Sequence, residues 1–428
     1  MGFIPIAVLG TLFVLNIPVA YCLMLATITY FAFINTTIPL DMVFQRMVAS
    51  AESFPLLAVP FFITVGNIMN FSGITSRLMK LAELLTGHLV GGLAQVNIVL
   101  SVLMAGISGS SNADAAMQCK ILVPEMQKRG YDTAFCAVVT ATSSVISPII
   151  PPGICLILYA FMANVSIGKM FMAGYIPGLM MMICLMVAAH VISKKRGYLP
   201  SRERGPSAAE LGKQLLESSW ALAMPFGILL GLRFGVFTPT EGGAIACAYT
   251  TLVGLFIYKE LKPCHFKSII LDSVRSTATV MLIIVAAGAF GFYMSWERLP
   301  QRLTEVLVGI TDNPYLMLLM INVFLLFIGM FLEGTASMII LVPLLVPVVE
   351  ALGIDLIHFG IIMCVNLTIG GCTPPFGTMM FLCCSLLKIP VMAYVKESLP
   401  FIGALIAALL LCTYIPPLVT FVPNLLMG

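Results

Sequence analysis

Polar, glycine-rich segments interrupt long apolar runs at two pairs of places in this 428-residue sequence. The first pair is 105–114, which contains Ser-Gly-Ser-Ser-Asn-Ala-Asp, and 142–153, which ends in Pro-Pro-Gly. The second pair is 329–337, which contains Glu-Gly-Thr-Ala-Ser, and 366–375, which ends in Thr-Pro-Pro. Backbone carbonyls released by unwound helix, together with short hydroxyl and amide side chains, are oxygen ligands for a hard cation such as sodium. The segments therefore predict ion sites.

The candidate site residues are small oxygen-bearing residues, glycines and prolines of these four segments. We predict the following sodium ligands: Ser110, Asn112, Thr142, Ser143, Gly334, Thr335, Asn366, Thr368 and Gly371. We predict the following contacts to an anionic substrate: Ser108, Asp114, Ser147, Pro152, Thr373 and Pro375. Helix N-termini that face the same cavity carry partial positive charge and suit an anion. Sodium is the expected coupling ion, and no organic cofactor is expected.

Four charged residues near the ends of apolar segments allow more than one interpretation. Asp114 either caps the helix whose first turn it occupies or caps it while lining the site, because a buried carboxylate in membrane sequence is costly without a function. Glu333 is expected at the tip of a helical hairpin, and Glu241 is expected to cap a helix. Arg233 either extends to the membrane interface or binds an anion.

The composition is that of an integral membrane protein. Hydrophobic residues make up 60% of the chain and charged residues 10%, and the mean hydropathy is +1.05, whereas soluble domains carry about 25% charged residues. Several charge-free runs exceed the roughly 20 residues that cross a bilayer. At membrane depth, backbone that breaks a helix is tolerated only where it is buried in protein or lines a wet cavity. The fold class predicted is an all-α polytopic membrane protein.

Several other classes fit the sequence poorly. The 12 cysteines are scattered without paired metal spacing, so we interpret them as small buried hydrophobic residues. The four histidines lie away from the polar segments, which argues against a metal or Ser/His enzyme. The net charge of +3 comes from basic residues in loops, which does not indicate nucleic-acid binding. A channel or an intramembrane enzyme remains the alternative of a different class.

The two halves of the chain repeat. Matched pairs of prolines mark the repeat: Pro124 with Pro343, Pro151 with Pro374, and Pro177 with Pro400. The first pair lies 219 positions apart and the other two lie 223 apart, so we predict a four-residue insertion in the turn around Gly353. We predict one membrane domain over 1–428, with a first transport repeat at 89–193 and a second at 315–422. Each repeat holds a re-entrant hairpin and a broken helix, and 1–88 and 194–314 form scaffold and connecting arm helices.

The polar segments between apolar runs set the predicted topology. The basic segment 194–213 is expected in the cytoplasm by the positive-inside rule. Segments 41–52 and 297–305 are expected to be polar connections, and 76–83 is expected to be an interfacial helix.

Five motifs resemble those of the large membrane subunit of tripartite ATP-independent periplasmic (TRAP) transporters. They are Ser-Gly-Ser-Ser-Asn-Ala-Asp-Ala-Ala, Ile-Leu-Val-Pro-Glu-Met, Pro-Ile-Ile-Pro-Pro, Phe-Thr-Pro-Thr-Glu and Thr-Pro-Pro-Phe-Gly. The similarity covers nearly the whole chain. It implies a sodium-driven secondary transporter of the bacterial inner membrane, with two inverted repeats and the elevator fold of the ion-transporter superfamily. It also implies two partners, a small membrane subunit on a separate chain and a periplasmic binding protein that delivers an organic anion.

The substrate prediction depends on a few positions. Asn112-Ala113-Asp114 with Met117-Gln118 is similar to the sialic-acid branch of the family, which implies uptake of N-acetylneuraminate. Ser147 and Gly153 flank Pro-Ile-Ile-Pro-Pro where many members have Gly and Ser. A C4-dicarboxylate or another carboxylate is the alternative substrate, and a stand-alone ion-coupled carboxylate symporter is the alternative transporter.

Overall fold

The computed structural model describes residues 4–15 and 17–427, except the side chains of 107 and 108, and this part of the chain is helical without β-strands. The helices before the first repeat are α1 (Ile4–Val14), α2 (Val19–Thr29), α3 (Leu40–Ala51), α4 (Ala58–Met69) and α5 (Ile74–Thr86). The first repeat contains α6 (Gly92–Ser108), α7 (Ser111–Ile121), α8 (Val123–Lys128), α9 (Thr133–Ser143), α10 (Ile154–Met162) and α11 (Ile167–Arg196).

The second half of the chain follows the same order after a connecting region. The connecting helices are α12 (Ala208–Arg233), α13 (Pro239–Leu252), α14 (Pro263–Trp296) and α15 (Leu299–Val308). The second repeat contains α16 (Pro314–Phe331), α17 (Gly334–Ala351), α18 (Leu356–Gly370), α19 (Thr378–Leu387) and α20 (Val391–Tyr414), and α21 (Pro417–Met427) ends the described chain.

Among the described residues, seven helices are long and apolar enough to cross a membrane. They are α11, α12, α13 with its π-helical continuation to Ile257, α14, α16, α17 and α20. The bent pair formed by α3 and the segment Phe54–Met69, with an angle of 53°, brings the number to as many as eight. A helix of 18 residues is about 27 Å long, close to the roughly 30 Å hydrocarbon core. The other apolar helices are too short to cross alone, which is typical of hairpins and broken helices.

Each repeat contains a helical hairpin and a helix broken at a Pro-Pro pair. Helices α6 and α7 meet at Gly109, where the backbone is left-handed (φ +55°). A β-carbon at Gly109 would lie 2.7 Å from the carbonyl oxygen of Pro152, so glycine allows the first hairpin tip to rest on the first break. In the second repeat, α16 and α17 meet at Leu332 and Glu333, while α18 and α19 flank the second break. Both Pro-Pro peptide bonds are cis.

The structure places the two repeats at a constant offset of 223 positions. Matched features are the N-caps Ser110 and Glu333, the positive-φ glycines Gly130 and Gly353, and the N-caps Asp132 and Asp355. Pro124 therefore corresponds to Pro347 rather than to Pro343, and the predicted four-residue insertion is wrong. Helix α17 contains Val-Pro twice, about one helical turn apart, which caused the mispairing.

Two segments predicted as polar connections are amphipathic helices. Helix α3 covers most of 41–52 and buries Val43 while its charged residues stay exposed, and it packs on α14. Helix α15 covers most of 297–305, buries Leu299 and Pro300, and packs on α17. Their polar side chains recur at helical spacing, which leaves an apolar stripe to bury.

Candidate functional site

A cavity of about 220 Å³ lies where the two hairpin tips meet α4 and α14. Its polar lining from the first repeat includes Ser110, Asn112 and Asp114. Its lining from the second repeat includes Glu333, Gly334, Thr335, Thr368, Gly371 and Thr378. Outside the repeats, α4 and α14 contribute Asn67, Asn70 and Ser276. Seven of the predicted site residues thus share one cavity.

The hairpin tips are capped by side chains that also line the cavity. Ser110 Oγ accepts a hydrogen bond from Ala113 N at 3.5 Å, so Ser110 is the N-cap of α7. Asp114 occupies the first turn as predicted, but the capping role predicted for it is wrong because Ser110 performs it. Glu333 lies at the second hairpin tip, as predicted, and its carboxylate accepts from Ala336 N at 3.1 Å.

Asp114 is held in a network of neutral groups between the two arms of the first hairpin. Its side chain is buried, with Oδ2 accepting from Ser101 Oγ at 2.8 Å and Oδ1 accepting from Gln118 Nε2 at 3.0 Å. Gln118 Nε2 also donates to Ser101 Oγ at 2.6 Å. Among the described residues, no Lys or Arg forms an ion pair with Asp114. A carboxylate buried in this way is stabilised by a cation.

The hydroxyl group of Thr335, a cavity-lining residue, can act there as an acceptor but not as a donor. Its hydroxyl donates to Glu333 Oε1 at 2.8 Å, so the hydrogen is already used and the oxygen remains available as an acceptor. Thr368, across the cavity wall, likewise donates to backbone carbonyls of its own helix, at 2.9 Å to Cys364 O. Hydroxyl groups oriented in this way can coordinate a cation but cannot donate to an anion.

The electrostatic character of the cavity favours cations. The lining includes the acidic residues Asp114 and Glu333, and none of its described residues is a lysine, arginine or histidine. An anion that enters such a cavity gains no basic partner from the side chains. Its charge must be balanced by bound cations or by backbone N–H groups.

Two half-helix N-termini provide such backbone groups. Helices α10 and α19 begin after Gly153 and Gly377, which have no side chain to cap them. Ile154 of α10 and Met379 of α19 line the cavity. Met379 N donates a hydrogen bond to Gly371 O at 2.9 Å, while the other first-turn amides of both helices have no partner within their own helix. These uncapped ends, rather than the capped hairpin helices, suit an anion.

The remaining predicted site residues lie outside the cavity lining, and the side chain of Ser108 lies outside the described part of the chain. The predicted site residues that do not line the cavity are Thr142, Ser143, Ser147, Pro152, Asn366, Thr373 and Pro375. Ser143 Oγ donates to Asn97 Oδ1 at 2.8 Å, and Asn366 Nδ2 donates to Asn322 Oδ1 at 2.8 Å. In both repeats this buried layer joins the broken helix to a hairpin arm. That these seven residues bind the ion or the substrate stays a prediction.

Sequence reasoning missed the polar residues of α4 and α14. Asn67 Nδ2 donates to Ser273 Oγ at 3.0 Å and joins the two helices, while Asn70 and Ser276 are exposed to the cavity. Asparagines three positions apart at the end of an apolar run share one helix face, and this spacing was the available signal.

Glu241 and Arg233 lie away from the cavity. Glu241 forms a capping box with Thr238, which confirms the predicted capping role. Arg233 ends α12 in an exposed position, with its guanidinium 5.5 Å from the ring centroid of Phe234.

The helices and the cavity describe an all-helical polytopic membrane protein with two related hairpin-bearing halves. The chain matches, over residues 6–418, the family model described as "Tripartite ATP-independent periplasmic transporter, DctM component". This chain therefore belongs to the DctM family of TRAP transporter large permeases, as the sequence motifs predicted.

Similar proteins carry several cargo names. The chain is 38% identical over 422 residues to the sialic acid TRAP transporter large permease SiaM of Vibrio cholerae, which covers 98% of this chain and 97% of that protein. It is 38% identical to the sialic acid TRAP transporter permease SiaT of Haemophilus influenzae over 96% of this chain, but spans 66% of that protein's length. It is 35% identical to the C4-dicarboxylate large permease DctM of Pseudomonas aeruginosa, over 89% of this chain and 88% of that protein.

The fold is similar to that of a solved transporter. The MtrF antimetabolite efflux pump of Neisseria gonorrhoeae matches with a TM-score of 0.59 over 94% of both chains, at 12% identity. At this identity the similarity concerns the fold alone.

Proposed function

We propose that this TRAP large permease carries an organic anion across the bacterial inner membrane together with sodium ions. The observation that carries the proposal is the charge of the cavity lining, which includes two acidic residues and no basic residue among its described members. An anion bound there needs cations beside it. The electrostatics of the cavity and its oxygen-rich lining both support coupling to a cation, for which we propose sodium.

The proposed arrangement divides the cavity into a cation side and an anion side. Thr335, Thr368 and the backbone around Gly371 offer oxygen atoms to sodium, next to the carboxylate of Glu333. The uncapped N-termini of α10 and α19 offer N–H groups to the carboxylate of the cargo. Each bound ion then lowers the electrostatic cost of binding the other.

We propose that transport follows an elevator mechanism. The two hairpins and broken helices form the moving unit, because buried amide and hydroxyl bonds join each hairpin arm to its broken helix. Helices α4 and α14 belong to the static part. The cavity reaches Asn70 at the end of α4. The nearby Gly73 lies against Glu260, whose carboxylate forms an ion pair with Arg77 at 2.7 Å. Glu260 belongs to the basic segment 259–275, which the positive-inside rule assigns to the cytoplasm.

N-acetylneuraminate is the proposed cargo, since two relatives with 38% identity carry the name of sialic acid. The C4-dicarboxylate name of a relative with 35% identity favours the alternative cargo. The tripartite description of the family supports a small membrane subunit and a periplasmic binding protein as partners.

Uptake into proteoliposomes tests the proposal. The full chain, reconstituted with a small membrane subunit and supplied with a binding protein, is expected to accumulate labelled acid only when sodium is higher outside. Accumulation without the binding protein would indicate a stand-alone symporter. Equilibration without accumulation would indicate a channel and contradict the proposal.

A further inference from the structure

The cavity is chemically asymmetric. The repeats supply both acidic residues, the proposed cation ligands and the uncapped helix ends, whereas α4 and α14 supply neutral residues. The polar members of this second surface, which we call the α4–α14 wall, are Asn67, Asn70 and Ser276. Ile63 and Val280 complete it with apolar side chains.

The polar side chains of the α4–α14 wall have unused hydrogen-bond donors and acceptors. Asn67 uses Nδ2 to reach Ser273 Oγ at 3.0 Å, which positions the amide and leaves Oδ1 as an acceptor. Within the described part of the chain, the side chains of Asn70 and Ser276 have no hydrogen-bond partner. A side-chain amide offers two donors and a carbonyl acceptor, and a hydroxyl offers one donor and two lone pairs. The wall can therefore both donate and accept.

These groups match a neutral polar ligand better than a charged one. A second carboxylate at the wall would lie against amide, hydroxyl and apolar groups, with no cation and no basic residue to replace its hydration. Hydroxyl and acetamido groups exchange water for Asn and Ser partners without that penalty. Sites that hydrogen-bond a substrate hydroxyl discriminate strongly against compounds that lack it.

We propose that the α4–α14 wall is a specificity subsite for the neutral, polyhydroxylated end of a monocarboxylate, whose carboxylate lies on the side of the repeats. This inference rests on the proposed function, because it assumes that the cavity holds an organic anion. It assigns Asn70 and Ser276 as specificity-determining residues on the part of the protein that does not carry the ion ligands. It also excludes C4-dicarboxylates as the preferred cargo.

Equilibrium binding to the purified full chain with its small subunit tests the subsite without the selectivity of the binding protein. In sodium buffer, unmodified protein is expected to prefer labelled N-acetylneuraminate over succinate. Asn70→Leu is expected to weaken N-acetylneuraminate binding by about tenfold, the loss of roughly one hydrogen bond, and to leave succinate unchanged. Ser276→Ala is expected to act in the same direction. Asn424→Leu, on the exposed face of α21 and outside the cavity, is the matched control.

The outcomes separate the subsite from the transport function. Succinate binding as tight as N-acetylneuraminate binding, or an Asn70→Leu protein with unchanged N-acetylneuraminate affinity, would overturn the subsite while leaving an organic-anion permease in place. Equal weakening for both acids would overturn it as well, because it indicates a general effect on the cavity. Failure of unmodified protein to bind either acid in sodium would reject the proposed function together with the subsite.

Discussion

Replacing Thr335 by valine removes one oxygen from the cavity with almost no change in shape. Thr335 Oγ1 donates to Glu333 Oε1 at 2.8 Å and lines the cavity, so its lone pairs are available to a cation. A hydrogen bond or ligand contact to a charged partner contributes about 1.5–3 kcal/mol. Because about 1.4 kcal/mol is a factor of ten, the sodium concentration for half-maximal uptake is expected to rise by roughly tenfold to a hundredfold.

The assay is initial-rate uptake of labelled acid into proteoliposomes over a range of external sodium concentrations. Thr251→Val is the matched control, since Thr251 lies on α13 away from the cavity and its Oγ1 donates a hydrogen bond to Cys247 O at 2.8 Å. The control is expected to keep the normal sodium dependence. A Thr335→Val protein with unchanged half-maximal sodium and maximal rate would refute the assignment of this hydroxyl to an ion.

Three further substitutions test the surroundings of the cavity. Asp114→Asn keeps the size of a buried side chain but removes its negative charge. The sodium concentration for half-maximal uptake is therefore expected to rise by about tenfold or more in the same assay. An unchanged sodium concentration would mean that this carboxyl group is structural. Asn366→Leu breaks two buried hydrogen bonds to Asn322. Thermal unfolding in detergent is expected to show that the free energy of unfolding falls by about 1–3 kcal/mol. An unchanged melting temperature would contradict the structural role. Gly370→Ala places a β-carbon 2.5 Å from the backbone of Gly329, so it is expected to lower the free energy of unfolding by about 1–3 kcal/mol and to reduce uptake. In the control Gly403→Ala the new β-carbon meets nothing within 4 Å, so stability and uptake should both stay unchanged.

The paired breaks were the most informative part of the sequence. Glycine, serine and Pro-Pro pairs inside apolar runs have few structural explanations in a membrane, so these residues predict two hairpins and two broken helices. The family membership followed from the same motifs and is confirmed by the family match. The position of Glu333 at a hairpin tip also followed, because a charge beside glycine inside an apolar run indicates a turn.

Register and side-chain direction could not be predicted to the same degree. The two Val-Pro pairs in α17 match the Val-Pro pair of the first repeat equally well in sequence. Only the matching helix N-caps of the two repeats in the structure identify Pro347 as the counterpart of Pro124. Thr142 and Asn366 lie within the polar segments, yet their side chains point to protein partners behind the cavity. Which face of a helix meets a cavity depends on packing between elements distant in sequence.

The contribution of α4 and α14 was difficult to recognise for a related reason, because the spacing of Asn67 and Asn70 was the only signal that we find in the sequence of these helices. Asn70 and Ser276 are ordinary polar residues beside apolar runs, and only the folded chain shows that they share a cavity with the hairpin tips. A sequence shows that a residue is polar, but long-range packing determines what it faces.

The most direct measurement of the shared cavity is the affinity of the purified protein for labelled N-acetylneuraminate in sodium chloride and in choline chloride at equal ionic strength. If cation and anion occupy one cavity, the affinity should rise with sodium, and by linkage the acid should raise the affinity for sodium by the same factor. Equal affinity in the two salts would contradict the shared cavity, because it would mean that the anion binds in a cavity lined by two acidic residues without any sodium ion beside it.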